Sequence, residues 1–324
     1  MFVRDFQDGQ DLDLVLLVRE VQRRAKRDGS AFLNVVFGDR TGSVAAKIWD
    51  GIDEHVELCV AGSPLHVEGR YTVDPKWGAE IRLRSVSRPV PNTFDERRLV
   101  DGSSRTAAQM EADLRALIDT IHNRYLVALL EAILGPETET YAQYRCAPAA
   151  KRYHQAYAHG LLEHSLTVAQ SVSAISATFP GIDREIAVTG ALLHDIGKLE
   201  AYTSTPPVFD MTDAGRLQGE IALGYFLVRR AIEDLDGFPA DLAQAVTHII
   251  LSHHGSLEHG SPVVPCTREA MLVHMIDNLG GRLGSFDRLE KELAPGAEWS
   301  AFDKALGTGA YFASTRVEPA QLAA

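Results

Sequence analysis

Cysteine is scarce in this 324-residue chain: Cys59, Cys146 and Cys266 lie far apart and none belongs to a CxxC pair. That spacing suggests neither a disulfide framework nor a zinc ribbon, and a reducing cytoplasm is the expected compartment. Long apolar runs are missing too. None approaches the roughly 20 residues of a membrane-spanning helix, and Met1-Phe2-Val3-Arg4-Asp5 lacks the charged-then-apolar layout of a signal peptide. Positive charge is not in excess: the formal net charge is −12. That balance argues against non-specific nucleic-acid binding by the whole molecule, which rests on neutralising phosphates. Internal repeats and low-complexity tracts are absent.

The hydrophobic share of 45% and charged share of 23% are ordinary for a globular protein, and the length allows two domains with sizeable cores. Charge is unevenly placed. Residues 1–92 hold 13 Lys+Arg against 14 Asp+Glu, and the remainder holds 19 against 30. A near-neutral first domain and an acidic second one suit a binding module joined to a metal-dependent catalytic module.

In the first part, Leu12 to Val21 alternates loosely and runs into the basic stretch Arg23-Arg24-Ala25-Lys26-Arg27. Ala31–Phe37 is β-branched and aromatic, hence a strand, and Gly38–Gly42 turns into a second strand, Ser43–Asp50. Pro64–Val73 and Ala79–Val86 read as two more, the last half-buried by its alternation. This succession of strands and tight turns resembles an OB-fold, whose members bind single strands by exposed aromatics and a basic groove. Lys47, Trp49, Lys76, Trp77 and Arg82 are the nucleic-acid-binding candidates. Phe32 and Tyr71 are expected to fill the barrel instead.

Pro89-Val90-Pro91-Asn92 breaks the strand pattern and opens a polar linker over 93–105. From Thr106 to Leu134 apolar residues recur at helical spacing, and Gly135-Pro136 stops that helix. Helical patterns follow at about 160–178, 184–196, 214–235, 240–253 and 267–290. The fold class is thus multidomain, an all-β barrel over 1–92 and an all-α region over 106–318, with a short tail at 319–324.

The second part carries chemistry. Ala191-Leu192-Leu193-His194-Asp195-Ile196-Gly197-Lys198 ends an apolar run in an adjacent His-Asp pair. His164 lies upstream in Gly160-Leu161-Leu162-Glu163-His164, and downstream come Leu251-Ser252-His253-His254-Gly255 and His274-Met275-Ile276-Asp277-Asn278. Ligands on several helices must converge to form a metal site in a helical bundle. Imidazole and carboxylate together suit a divalent transition metal better than Ca²⁺. Such an ion lowers the pKa of water and braces a phosphoryl oxygen.

With these residues in this order, the second part resembles the HD superfamily of metal-dependent phosphohydrolases. His164 matches the first histidine, His194 and Asp195 the paired motif, and Asp277 the final aspartate. Together with the OB-like segment, nearly the whole chain resembles the YhaM family of 3′→5′ exoribonucleases, with close counterparts of GLLEH, LLHDIGK, LSHHG and HMIDNL. The resemblance implies hydrolysis of single-stranded RNA, or DNA, from the 3′ end to 5′-mononucleotides, favoured by Mn²⁺. It departs at Gly219-Glu220-Ile221, where a further metal-site histidine is expected. Glu220 either ligates a second ion through oxygen or leaves that position weak, so one ion or two are both open.

His164, His194, Asp195 and Asp277 are the candidates for the first ion, and His253, His254 and Glu220 for the second ion or the phosphate. A buried histidine capping a helix end is the alternative for the latter group. Lys198 is the candidate to contact the scissile phosphate as a point charge, and a solvated lysine is its alternative. His159, His274 and Arg282 are weaker substrate-binding candidates. His274, three residues before Asp277, can support it on the same helix face. Competing functions are a phosphohydrolase of a nucleotide or cyclic dinucleotide, and a non-catalytic single-strand binding protein. No membrane partner is expected, and a homo-oligomer is left open.

Overall fold

A computed structural model of the chain describes residues 1–26, 30–74, 78–91, 93–95, 98–99, 102–103, 105–150, 155, 157–203, 209–293 and 297–312. The chain forms two compact units, Met1–Asp101 with Asp287–Ala324, and Gly102–Phe286. The boundary near 101 falls inside the polar stretch read as a linker. Residues from 287 onward group with the barrel, whereas the sequence pattern places them with the helices.

In the first unit, β1 (Asp11–Ala25), β2 (Ala31–Asp39), β3 (Gly42–Ile48), β4 (Pro64–Asp74) and β5 (Gly78–Ser87) form a closed barrel in the order β1-β2-β3-β5-β4. Closure comes from β1 pairing antiparallel with β4 and from a parallel contact of β3 with β5 at Ala45/Glu80 and Ala46/Ile81. Period-2 alternation sends Leu12, Leu16, Leu33, Val35, Phe37, Leu65, Val67 and Ile81 inward, where each is nearly or fully buried. Complete burial of each such side chain is worth about 1.5–3 kcal/mol. The β2–β3 turn is fixed by the buried Asp39 carboxylate, which accepts from Thr41 N (2.7 Å), Thr41 Oγ1 (2.6 Å) and Val3 N (2.7 Å). A bulge leaves Arg84 of β5 as the extra residue opposite Glu68 and Gly69 of β4, and a Cβ at Gly69 would lie 2.6 Å from Arg82 O, so glycine is required. A short helix, α1 (Ile52–Leu58), separates β3 from β4 and was not foreseen from the sequence. Tyr71 is buried as expected. Phe32 is not in the core: it lies half-exposed against Trp49.

The second unit is helical: α2 (Ala107–Ile118), α3 (Arg124–Leu134), α4 (Glu139–Tyr144), α5 (Gly160–Ser176), α6 (Arg184–Leu193), α7 (Lys198–Ala201), α8 (Asp213–Gln218), α9 (Glu220–Glu233), α10 (Ala240–Ser252) and α11 (Arg268–Lys291), whose last turn is grouped with the first unit. The pattern read as one helix over 106–134 is two. Asn123 caps α3 by accepting from Tyr125 N and Leu126 N, while Glu185 takes the N–H groups of His122 and Asn123. Likewise 214–235 breaks at Gly219, whose φ of +77° an L side chain rarely adopts. α6 lies at the centre, with every residue from Ala187 to Leu193 buried, packed between α5 and α10. Gly190 makes this possible, since a Cβ there would fall 2.3 Å from Ile249 Cδ1 on α10. No described helix is long and apolar enough to cross a membrane.

Candidate metal centre

The centre forms where two buried helices end. α6 stops at Leu193 and α10 at Ser252, and the next residue of each, His194 and His253, caps its own helix. Each imidazole turns Nδ1 back onto a carbonyl left open by the helix end: His194 to Ala191 O at 2.7 Å, His253 to Ile250 O at 2.8 Å. A neutral ring donates from Nδ1 in that geometry, so the Nε2 lone pair is left facing the centre. His164, on α5, is fixed by Gln155 Oε1 at 3.1 Å from its Nδ1. All three rings are at least nine-tenths buried. The carbonyl ends of α6 and α10 add partial negative charge near the centre, which favours a cation.

Carboxylates complete the cluster. His164 Nε2 lies 3.2 Å from His194 Nε2, 3.1 Å from Asp277 Oδ1 and 3.3 Å from Asp195 Oδ2. Ligand atoms of His164, His194 and Asp277 all fall within 4.8 Å of one another, a grouping that can hold one metal ion. Asp195 presents its two oxygens differently. Oδ2 faces His194 Nε2 at 3.4 Å and receives the Lys198 ammonium at 2.6 Å, whereas Oδ1 points toward His253 Nε2 at 3.6 Å. Asp195 Oδ1 and His253 Nε2 are buried and have no hydrogen-bond partner. Unsatisfied buried polar atoms cost about 1–3 kcal/mol each, and a cation ligated by both would remove that cost. The donor set of imidazole nitrogens and carboxylate oxygens fits a divalent transition metal.

The electrostatics agree. Burial opposes a charge on His164, yet Asp195 and Asp277 hold its pKa up to about 9. Asp195 stays well below the carboxylate range against its own burial because of Lys198, His194 and His164, and Asp277 is lowered mainly by His164 and His194. Burial disfavours the Lys198 ammonium, but Asp195 raises its pKa. The pocket thus selects for positive charge.

The remaining sequence candidates divide. Glu220 opens α9 and sets Oε1 3.6 Å from His254 Nε2, so these two form a pair beside the cluster. Burial and the neighbouring His253 lower the pKa of His254. His253, His254, His259, His274, Asp277 and Asn278 line a cavity of about 270 Å³. His274 sits there with Nδ1 2.7 Å from His253 O, so its ring engages the His253 backbone rather than Asp277, which it was expected to support. This needs Gly255, whose Cβ would fall 2.0 Å from the His274 ring. His159 is used otherwise: at φ +69° it precedes α5, and its Nδ1 engages Arg145 O. Arg282 is exposed, with Nε donating to Asn278 Oδ1 at 2.8 Å. Gln155 was missed. It stands at φ +58° in a stretch with no helical or strand pattern, and only the folded chain brings it to His164.

On the barrel, Trp49 is 49% exposed and stacks on Phe32 with centroids 4.8 Å apart, and Lys26 Nζ lies 5.2 Å from the Trp49 ring. Lys47 is tied to Glu80 at 2.6 Å, and Arg82 Nε is 4.0 Å from the same carboxylate. Lys76 and Trp77 lie outside the described residues.

Residues 161–281 match the family model described as the HD domain. The match contains His164, His194, Asp195, Lys198, Glu220, His253, His254 and Asp277. The match indicates a metal-dependent phosphohydrolase domain, a class whose members bind divalent metals, and the cluster described above is the candidate site for one here.

Proposed function

We propose that the HD domain of this chain is a 3′→5′ exonuclease acting on single-stranded RNA, with single-stranded DNA as an alternative substrate, and that Mn²⁺ is its metal. The observation that carries the phosphohydrolase chemistry is the convergence of His164 Nε2, His194 Nε2 and Asp277 Oδ1 within 4.8 Å, with Asp195 Oδ2 beside them. A bound ion supplies Lewis acidity and a water of lowered pKa. His164, His194, Asp195 and Asp277 would hold it. Hydrolysis adds water at the terminal phosphorus and breaks its bond to the 3′-oxygen, which leaves protonated on the shortened strand. Lys198 offsets the charge that develops on the phosphoryl oxygens. The exposed Phe32–Trp49 stack, with Lys26 beside it, supports a single-strand ligand on the barrel, because bases stack on such platforms without regard to sequence.

The test uses full-length protein stripped of metal, with Mn²⁺ restored and a 5′-labelled single-stranded RNA, and Asp195→Ala in parallel. A ladder of descending lengths, absent from the variant, is the expected result. Intact RNA alongside hydrolysis of a nucleotide or cyclic dinucleotide would replace the exonuclease proposal with the small-substrate one. Inactivity on all of these, with retained RNA binding, would leave a binding protein.

A further inference from the structure

The three histidines of the metal centre reach it from different parts of their helices. His194 and His253 cap α6 and α10, so each finds an open carbonyl of its own helix end for Nδ1, at 2.7 and 2.8 Å. His164 is placed otherwise. It is the fifth residue of α5, where the carbonyls of Gly160 and Leu161 accept the helical bonds of residues 164 and 165. A partner for its Nδ1 has to come from outside the helix, and that partner is Gln155 Oε1 at 3.1 Å. Gln155 is only 8% exposed.

The chain ahead of α5 is built to deliver that oxygen. Among the described residues, Gln155 and His159 are the non-glycine positions with left-handed backbone, at φ +58° and +69°. Such a conformation is unfavourable for an L side chain and persists where surrounding contacts hold it, typically at functional positions. Those contacts are present. Gln155 O accepts from Ala149 N at 3.1 Å, His159 N donates to Cys146 O at 3.3 Å, and Leu161 N donates to Ala147 O at 3.0 Å. The His159 ring engages Arg145 O, and the Tyr157 hydroxyl donates to Glu163 Oε2 on α5. Gly160 lets the segment approach the start of the helix, because a Cβ there would lie 2.0 Å from Gln155 O.

We propose that Gln155 is a positioning residue for the metal. Its side-chain carbonyl accepts the Nδ1 proton of His164 and fixes the ring, so that Nε2, 3.1 Å from Asp277 Oδ1 and 3.3 Å from Asp195 Oδ2, is directed into the cluster. This role rests on the metal-centre reading of the cluster and not on the choice of substrate. An amide suits the place. It holds the ring without adding another negative charge near Asp195 and Asp277, whereas an apolar side chain would leave a buried N–H without an acceptor.

The experiment is calorimetric titration of metal-stripped, full-length protein with Mn²⁺. Gln155→Met keeps the length and volume of the side chain but removes the amide oxygen. It should weaken Mn²⁺ binding about 10- to 100-fold, the usual effect of losing a ligand's hydrogen-bond partner, with unchanged far-ultraviolet circular dichroism. Gln155→Glu keeps an acceptor at the same reach and should bind Mn²⁺ at least as tightly as wild type. Gln155→Gly, which relaxes the left-handed backbone, should weaken binding as the methionine variant does and serves if that variant misfolds. Asp277→Ala is the control for the centre itself and should also weaken binding. An unchanged affinity in Asp277→Ala would overturn the metal-centre reading and this proposal with it. Weakened binding in Asp277→Ala beside wild-type affinity in Gln155→Met would overturn the proposal alone. So would a natively folded Gln155→Glu protein that binds as weakly as Gln155→Met, the outcome expected if the amide donates to Nδ1 instead.

Discussion

Lys198→Met separates the electrostatic role of this lysine from metal retention. In the metal-free protein, two carboxylates, the buried Asp195 and the part-buried Asp277, are balanced by the Lys198 ammonium and by a proton that their proximity holds on His164. The Lys198 and Asp195 side chains are 15% and 2% exposed and 2.6 Å apart. Removing one partner of so buried a pair costs about 3–5 kcal/mol because the other charge stays uncompensated. At about 2–4 °C per kcal/mol for a unit of this size, even a loss of about 3 kcal/mol lowers Tm by about 6–12 °C. A bound Mn²⁺ neutralises Asp195 instead, so the deficit should shrink to below about 1 kcal/mol, or about 2–4 °C. Turnover should still fall about 10²–10³-fold, the usual cost of deleting one donor to a developing anion. Differential scanning fluorimetry with and without Mn²⁺, calorimetric Mn²⁺ titration and RNA hydrolysis measure the three effects. An equal Tm loss with and without metal, or an unchanged metal-free Tm, would refute the charge balance described.

Three further outcomes are expected. The proton on His164 stabilises the metal-free fold fully below the ordinary histidine pKa near 6.5 and is lost as pH rises through about 9. The Tm of stripped protein should therefore decline across that window and that of Mn²⁺-loaded protein should not, so parallel profiles would count against the assignment. Trp49→Ala should weaken binding of a fluorescent oligouridine by about 5- to 150-fold, the value of one stacking contact, and an unchanged anisotropy titration would remove the barrel stack from the ligand site. Burial lifts the Cys59 thiol to about 11, while Cys146 and Cys266 are exposed. A thiol-disulfide reagent at pH 8 should accordingly count two fast thiols in the folded protein and three after denaturation.

The sequence alone determined the succession of barrel and helices and marked the candidate ligands. Alternation and helical spacing are local properties that survive in one dimension, which is why β2 to β5, α5, α10 and α11 fall close to their expected spans. His164, His194, Asp195 and Asp277 were legible because they terminate or punctuate apolar runs. Tertiary structure alone decided what each side chain meets. It set Phe32 outside the core, tied Lys47 to Glu80, turned His159 onto a backbone carbonyl and paired Glu220 with His254. It also gave Asp195 two differently facing oxygens and brought Gln155 to His164. These contacts join residues distant in sequence or depend on where a helix ends and which way its last ring turns. Orientation of that kind comes from packing α6 between α5 and α10, and no local pattern of residues encodes it.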